Sequence, residues 1–406
     1  MNRRHSIALV LLIVLLSGGA SWGQSLRRVG FLPLEADQAG DQWLGHLVAD
    51  VAERAMATNS LADVPEARER TMARRKMGMS FLDAGVRNPA VAAGELDLDY
   101  VGRGWARTDG EFAIFDLELV ETATGARVLA QTFRAPINDP VDAGLLMASR
   151  ASEAIFGEPL LAYATQVVRP MPLRSEVLEA YGRGLTALDA AGGAAAIGEL
   201  RTQSRELIAA SNHLTRAVNG QPALLWPYDA LMDASNSIIE LDPTVSAAYV
   251  NIGIAEAALG DLPGAVAILR QGRRMAEDDA TVRIVLANYL LDLAARATVR
   301  KQELLDEARA SAEEATQLTP DAPGAWIMLG ATHFDAARYD AAADAYLRAT
   351  ELDPVDVVAR LGCGLSLVRL GLWEDAEPHL TAVVELDPGG PYAERARAEL
   401  ERTALP

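Results

Sequence analysis

Five histidines, one cysteine and a surplus of carboxylates are the residues in this chain whose chemistry could carry a reaction. The histidines are His5, His46, His213, His333 and His379. No two stand four apart, the spacing that sets two imidazoles on one helical face for a metal. His46 is expected on the polar side of a helix, and the others in structural or surface positions. Cys363 is expected as a small buried apolar residue, because its sequence neighbours supply neither the base nor the positive setting a reactive thiolate needs. The carboxylate pairs Asp97/Asp99 and Asp278/Asp279 are weak signals in a chain with 56 acidic residues. The stretch "VGRGWARTDG" holds Gly102 and Gly104 in strand-like text with no helix after it, so both read as close-approach or bulge positions. The phosphate-cradling G-x-x-x-x-G-K-[ST], the dinucleotide G-x-G-x-x-G and the nucleophile elbow G-x-S-x-G are all missing. The expectation is a non-enzyme with no catalytic residue, no cofactor and no metal.

The elements that would position these residues begin with a leader. "MNRRHSIALVLLIVLLSGGASWGQ" has a basic start, an apolar run from Ile7 to Leu16 and then small residues, the layout of a secretory signal peptide. The run is short of the ~20 apolar residues a membrane span needs. Cleavage is expected after Ala20 or Gly23; an uncleaved anchor is the alternative, and no other stretch could span. The lone Cys363 excludes both an acylated cysteine after the leader and an intrachain disulfide. The 406 residues are 50% hydrophobic but only 5% aromatic, a mixture that favours packed helices. Net charge is −19, with −7 on residues 24–158 and −14 on 159–406. Two acidic halves argue against a nucleic-acid partner or an anionic membrane surface.

Residues 24–158 read as an α/β domain in the order β-α-β-α-(α)-β-β-β-α, a mixed sheet with helices on one face. "RRVGFLPLE" is a short strand. Trp43, Leu44, Leu47, Val48, Val51 and Ala55 make one helical stripe, and Pro65 leads another helix. Hairpin turns fall at Thr108–Glu111 and Thr122–Gly125. In the middle strand Ile114, Leu117 and Leu119 stand against Phe112, Phe115 and Val120, an imperfect alternation.

From about Arg174 the text is helical and repeats itself. Trp326, Leu329, Gly330, Ala342, Tyr346, Ala349 and Pro354 are followed 34 residues later by Cys363, Gly364, Ala376, Leu380, Val383 and Pro388. An earlier copy holds Tyr249, Ile252, Gly253, Ala265 and Leu269, and "ELDP" closes three copies. Gly253, Gly330 and Gly364 are expected where two helices approach too closely for a side chain, with Trp326 and Tyr346 filling the seam. These residues resemble the tetratricopeptide repeat family. About five repeats are expected: 175–245 with an insertion over 190–227, 246–279, 280–322 with about nine extra residues, 323–356 and 357–390. A charged closing helix follows them, completing a solenoid over 174–406. In the 175–245 repeat, Glu176–Leu188 is taken as the first helix and Tyr228–Pro243 as its second. The first strand ending at Pro33, "LDLDYVGRG" and "TGARVLA" make residues 28–157 similar to the amino-terminal domain of TolB and to the FlgO/CsgG type.

The repeat resemblance implies that partners are gripped on the concave face built by the first helix of each pair. Periodicity places Val250, Ile254, Ala257, Asn288, Leu291, Ile327, Ala331, Phe334, Leu361, Leu365 and Val368 there, with Asp335 and Arg369 at the edge. His333 stands where the family usually has Tyr. The face is too apolar for a clamp on a terminal carboxylate; it is either a groove for a protein segment or a surface covered by neighbouring helices. The two resemblances together imply an exported, non-catalytic adaptor with protein partners in the bacterial cell envelope. The alternative is a sensor whose α/β domain binds a small ligand and whose repeats relay it.

Overall fold

The computed structural model describes residues 26–66, 69–70, 73, 77, 79–83, 89–160 and 162–403. The leader and most of the helix expected after Pro65 lie outside them. The described chain divides into two units, one ending at Leu224 and the other beginning at Leu225. The fold is a mixed sheet with helices, followed by a long run of helices in hairpins.

In the first unit the strands are β1 (Arg27–Phe31), β2 (Glu35–Ala36), β3 (Ala62–Asp63), β4 (Tyr100–Asp109), β5 (Phe112–Glu121) and β6 (Arg127–Pro136). Their order is β3-β1-β4-β5-β6, with β2 also on β4. Pairing is parallel from β3 through β4 and antiparallel from β4 through β6. The alternation in β5 is regular rather than imperfect. Ala113, Phe115, Leu117 and Leu119 are buried, while Phe112, Ile114, Asp116 and Glu118 take the other face. The expected grouping put Ile114 with Leu117, which a strand's two-residue period forbids. Gly104 is a close approach, as expected: a Cβ there would strike the Asp116 carbonyl across the ladder.

Helix α1 (Gln42–Met56) is buried on nearly every side. It packs on β1, on α3 (Val141–Phe156) and on α5 (Ser175–Ala196); a short α2 (Pro89–Glu95) contacts β4, and α4 (Ala162–Val168) also touches α1. Two polar links pin α5 to α1. Tyr181 donates to Asp50 at 2.8 Å, and Arg54 donates to Tyr181 at 3.0 Å. Helix α5 pairs with α6 (Leu200–Gly220). The segment 175–220, expected as a first repeat and its insertion, is therefore a hairpin inside the first unit. The first helix at Glu176–Leu188 takes α6 as its partner, not the helix at Tyr228–Pro243. The boundary at Leu224 accordingly lies well past the expected 158–174.

The second unit holds α7 (Trp226–Leu241) and four hairpins. These are α8 (Ser246–Ala258) with α9 (Leu262–Met275), α10 (Ala280–Arg296) with α11 (Lys301–Leu318), α12 (Pro323–Asp335) with α13 (Tyr339–Leu352), and α14 (Val357–Leu370) with α15 (Trp373–Leu386). Helix α16 (Pro391–Thr403) closes the row. The extra residues of the 280–322 copy lengthen both helices, to 17 and 18 residues against 13 and 14 in α12 and α13. The glycine frame is a packing device. Cβ atoms on Gly253, Gly330 and Gly364 would sit 2.8, 2.8 and 2.7 Å from Leu269, Tyr346 and Leu380, each sixteen residues on in the second helix. Tyr346 fills that seam as expected, whereas Trp326 is half-buried beside the neighbouring core cluster.

One further device recurs. The closing proline of a repeat leaves a free carbonyl, and a side chain six residues on donates to it. Tyr249 reaches Pro243 at 2.9 Å, Trp326 reaches Pro320 at 2.8 Å and Arg360 reaches Pro354 at 2.6 Å. Three different residue types at one position do the same work, because each carries a donor at the end of a long side chain.

Candidate functional site

The first helices of the hairpins, α8, α10, α12 and α14, pack side by side in the second unit. Four of the expected partner-face residues are core. Leu291 lies in the cluster around Leu286 and Leu290, and Leu361, Leu365 and Val368 lie in the cluster closed by Leu380, Val383 and Ala396. Leu291 is covered within the longer α10–α11 hairpin, beside Leu305 and Ala308, whereas on α14 the apolar face is covered by Ala396 and Leu400 of α16. Val250, Ile254, Ala257, Ile327, Ala331 and Phe334 are half-buried, and Asn288, Asp335 and Arg369 are exposed. Phe334 meets the Tyr339 ring edge-on at 5.3 Å. Although Asp335 is exposed, partial desolvation by the protein around it raises its carboxyl above the ordinary pKa, with Lys301 opposing and Asp292 adding. Val250, Ala331, Ile327 and Phe334 lean on the neighbouring core clusters with part of each side chain still accessible.

The histidines and the cysteine sit differently from expectation. His46 is 5% exposed, not on a polar face, because α5 covers that side of α1. Its Nε2 lies 3.5 Å from Asp189, whose carboxylate accepts the backbone N–H groups of Phe81 and Leu82. Thr186 lies 3.2 Å from His46 Nδ1. Cys363 is buried, 2% exposed, but the sequence hid a base beside it: His379 Nε2 is 3.6 Å from its sulfur. Burial pushes the thiol up to about 11 and lowers the His379 imidazole, so both shifts disfavour a thiolate–imidazolium pair. Burial likewise lowers His333, with Arg338 adding. Among the described residues no three His, Cys, Asp or Glu side chains converge as metal ligands.

The first unit has a recess that the sequence did not announce. The sheet face carrying Arg103, Trp105 and Arg107 is open, with Trp105 49% exposed. Arg103 and Arg127 both donate to Glu118, at 3.3 and 3.0 Å, and Arg107 pairs with Asp116. At the Val101–Val120 end, α2 and the turn from Thr122 to Gly125 rise over this face and enclose about 350 Å³. Asp97, held at φ +52°, and Arg103 both line it. Asp99 accepts the backbone N–H of Arg28 at 2.8 Å, and the charge of Asp97 also acts on Arg28, so the two carboxylates converge on one arginine. A sequence signal existed in the arginines at 103 and 107, which share one face of a strand.

The second unit thus defines a class, a row of helical hairpins whose first helices carry half-buried apolar residues. Residues 293–357, from the end of α10 to the start of α14, match the tetratricopeptide repeat family. Solved structures with similarity include TTC0263, a thermophilic TPR protein of Thermus thermophilus. It is 16% identical over 47% of this chain and 98% of that one, at a TM-score of 0.40. MamA from Desulfovibrio magneticus RS-1 is 18% identical, over 46% of this chain and 97% of that one, at 0.37. YrrB, described as a TPR protein with an unusual peptide-binding site, is 17% identical, over 46% and 99%, at 0.35. No curated protein matches.

Proposed function

We propose that the chain is an exported scaffold whose helical-hairpin unit binds a segment of a protein partner in the bacterial cell envelope. The observation that carries the reading is the strip of Val250, Ile254, Ala257, Ile327, Ala331 and Phe334, which stays half-buried after the hairpins and closing helix have packed. An extended or helical segment with apolar anchors suits such a strip. The tetratricopeptide match over 293–357 supports an interaction role. Export rests on the leader, with its basic start, ten-residue apolar run and small residues. Asp335 and Arg369 beside the strip would set the partner's register through charge more than add affinity.

Photo-crosslinking in the native cell tests the reading. A crosslinkable residue is placed at the exposed positions 288, 335 or 369, and at Leu347 on α13 as control. The expected result is one adduct shared by the first three and missing at 347. Adducts at all four positions, or at 347 alone, would remove the strip from the account. Fractionation with amino-terminal sequencing tests export; the mature chain should begin at Ser21 or Gln24, and an intact Met1 in the cytoplasm refutes it.

A further inference from the structure

Strand β6 ends the sheet, and its outer edge has no neighbour among the described residues. The backbone bonds at the ends of the ladder fix which of its groups face outward. Ile137 donates to Glu111 and Glu121 donates to Ala126, each at 2.9 Å, whereas Thr122 donates to Asp99 on the other side. Successive residues of a strand point their N–H and C=O to opposite sides, so the odd residues of β5 serve β6 and the even ones serve β4. With Leu117 opposite Gln131 and Phe115 opposite Phe133, the N–H and C=O of Ala130, Thr132 and Arg134 point off the edge. All three residues are exposed. Natural edges are blunted by lysine, proline, a bulge or a short strand. Strand β6 has 10 residues, its proline is the last of them, and its register shift lies at the far end, opposite Leu119 and Val120. Nothing of that kind blocks the stretch between Ala130 and Arg134. Arg134 lies over the Phe112 ring at 3.7 Å and has no carboxylate partner among the described residues, while Arg103 and Arg127 hold Glu118 and Arg107 holds Asp116. On the buried face α3 packs on β6, and α1 packs on β1 and β4. Gly144 of α3 abuts Val51 and Val48 of α1. Leu146, about 200° further round the helix, is therefore on the side turned toward the open edge, and it is 50% exposed.

We propose that this edge is the interface with a second copy of the chain, the two β6 strands pairing antiparallel about a two-fold axis that passes through the sheet at Thr132. The strand complements itself in that register. Thr132 meets its own image, Ala130 meets Arg134 of the second copy, and each such pair exchanges both N–H···O bonds. Ala130 is small enough for that arginine to lie across it, with Glu118 next in the same row. A register that set Arg134 against its own image would place like charges opposite each other, which is destabilising. The same axis brings the two copies of Leu146 together on the helical side of the joined sheets, so that an exposed leucine becomes covered.

The test uses the chain from Gln24 to Pro406 in sedimentation equilibrium, and the expected result is a dimer at micromolar concentration. Ala130→Pro removes only an outward N–H, which an edge strand tolerates, and should give a monomer with unchanged far-ultraviolet circular dichroism. Ala130→Arg, set against Arg134 of the second copy, should weaken the dimer about tenfold, because the axis makes the repulsion twice. Ala130→Glu should leave it at least as tight. Thr132→Cys reads the register. The Cα atoms of a hydrogen-bonded pair stand about 5.5 Å apart, within disulfide reach, so mild oxidation should give a covalent dimer. Two copies of residue 130 would be about 14 Å apart along the strands, four residues at ~3.4 Å each, so Ala130→Cys should stay uncrosslinked. Cys363, 2% exposed, does not compete. The proposal is overturned if the parent is monomeric throughout the micromolar range, or if Ala130→Pro dimerises like the parent. It is equally overturned if Ala130→Arg and Ala130→Glu act alike, or if Ala130→Cys crosslinks as readily as Thr132→Cys.

Discussion

Replacing Gly362 by alanine should destabilise the third and fourth hairpins, and removing Tyr346 should cancel the effect. The Tyr346 ring of α13 lies between Gly330 on α12 and Gly362 on α14. A Cβ on Gly362 would stand 2.7 Å from Tyr346 Cδ1 and closer still to Cε1 and Cζ. Carbon atoms pack best at roughly 3.5–4.0 Å, so the ring would have to retreat by about 1 Å. It cannot retreat toward α12, because even a Cβ on Gly330 would lie 2.8–2.9 Å from the ring's Cγ, Cδ1 and Cδ2. Overpacking of this kind costs about 1–3 kcal/mol, against about 1 kcal/mol returned by alanine's better helix propensity. A net loss of up to about 2 kcal/mol follows for Gly362→Ala. On a Tyr346→Leu background the clash is gone and only the propensity term remains, so the same substitution should be neutral or stabilising by about 1 kcal/mol. The coupling in the double-mutant cycle is then about 1–3 kcal/mol. Two units make a single global unfolding midpoint ambiguous. Hydrogen exchange of peptides spanning 323–370 reads the local opening free energy directly. If Gly362→Ala costs the same with Tyr346 or Leu at 346, the glycine's role as a seat for the ring is refuted.

Three other outcomes follow from the hairpin unit. Ala337 holds φ +56° in the turn between α12 and α13, while Gly371 holds +79° in the same turn 34 residues on and Gly260 holds +92° between α8 and α9. Left-handed backbone costs a residue with a Cβ about 1–2 kcal/mol, partly offset by glycine's freedom when unfolded, so Ala337→Gly should raise local stability by about 0.5–1 kcal/mol in hydrogen exchange of 330–345. Asp279 caps α10 through Thr281 at 2.6 Å and Val282 at 3.3 Å, and accepts from Ser246 at 2.6 Å. Burial pushes its carboxyl up, but these hydrogen bonds outweigh it and hold the folded pKa below the ordinary value. A depressed acid stabilises above its unfolded pKa, and loses that contribution as pH falls through the folded one. Asp279→Ala should therefore cost about 1 kcal/mol at neutral pH, a difference that shrinks in acid; denaturation at pH 7 and pH 3 checks it. Cys363 should resist iodoacetamide at pH 8 in the folded chain and react once denatured, because its thiol is both covered and pushed up to about 11; equal labelling rates would contradict the burial described.

The sequence by itself determined the repeating frame. Gly253, Gly330 and Gly364, with their partners sixteen residues on, are set by local geometry: two helices joined by a short turn must meet at fixed spacings, and only a missing side chain lets them close. The parallel and antiparallel parts of the sheet were likewise legible in element order, because hairpins and crossovers leave different text. Tertiary structure alone decided which faces are covered. His46 has the periodicity of a polar face until α5 packs over it, and Glu176–Leu188 has the text of a repeat helix until its partner proves to be α6. Leu291, Leu361 and Leu365 occupy the same helical face as Ile254 and Ala331, yet they are core because a longer neighbour or the closing helix lies on them. The recess at Arg103 is built by a helix, two strands and a turn that meet only in the folded sheet. Periodicity reports which side of an element is apolar; what comes to rest against that side is fixed by contacts between residues far apart in the chain, which no local pattern encodes.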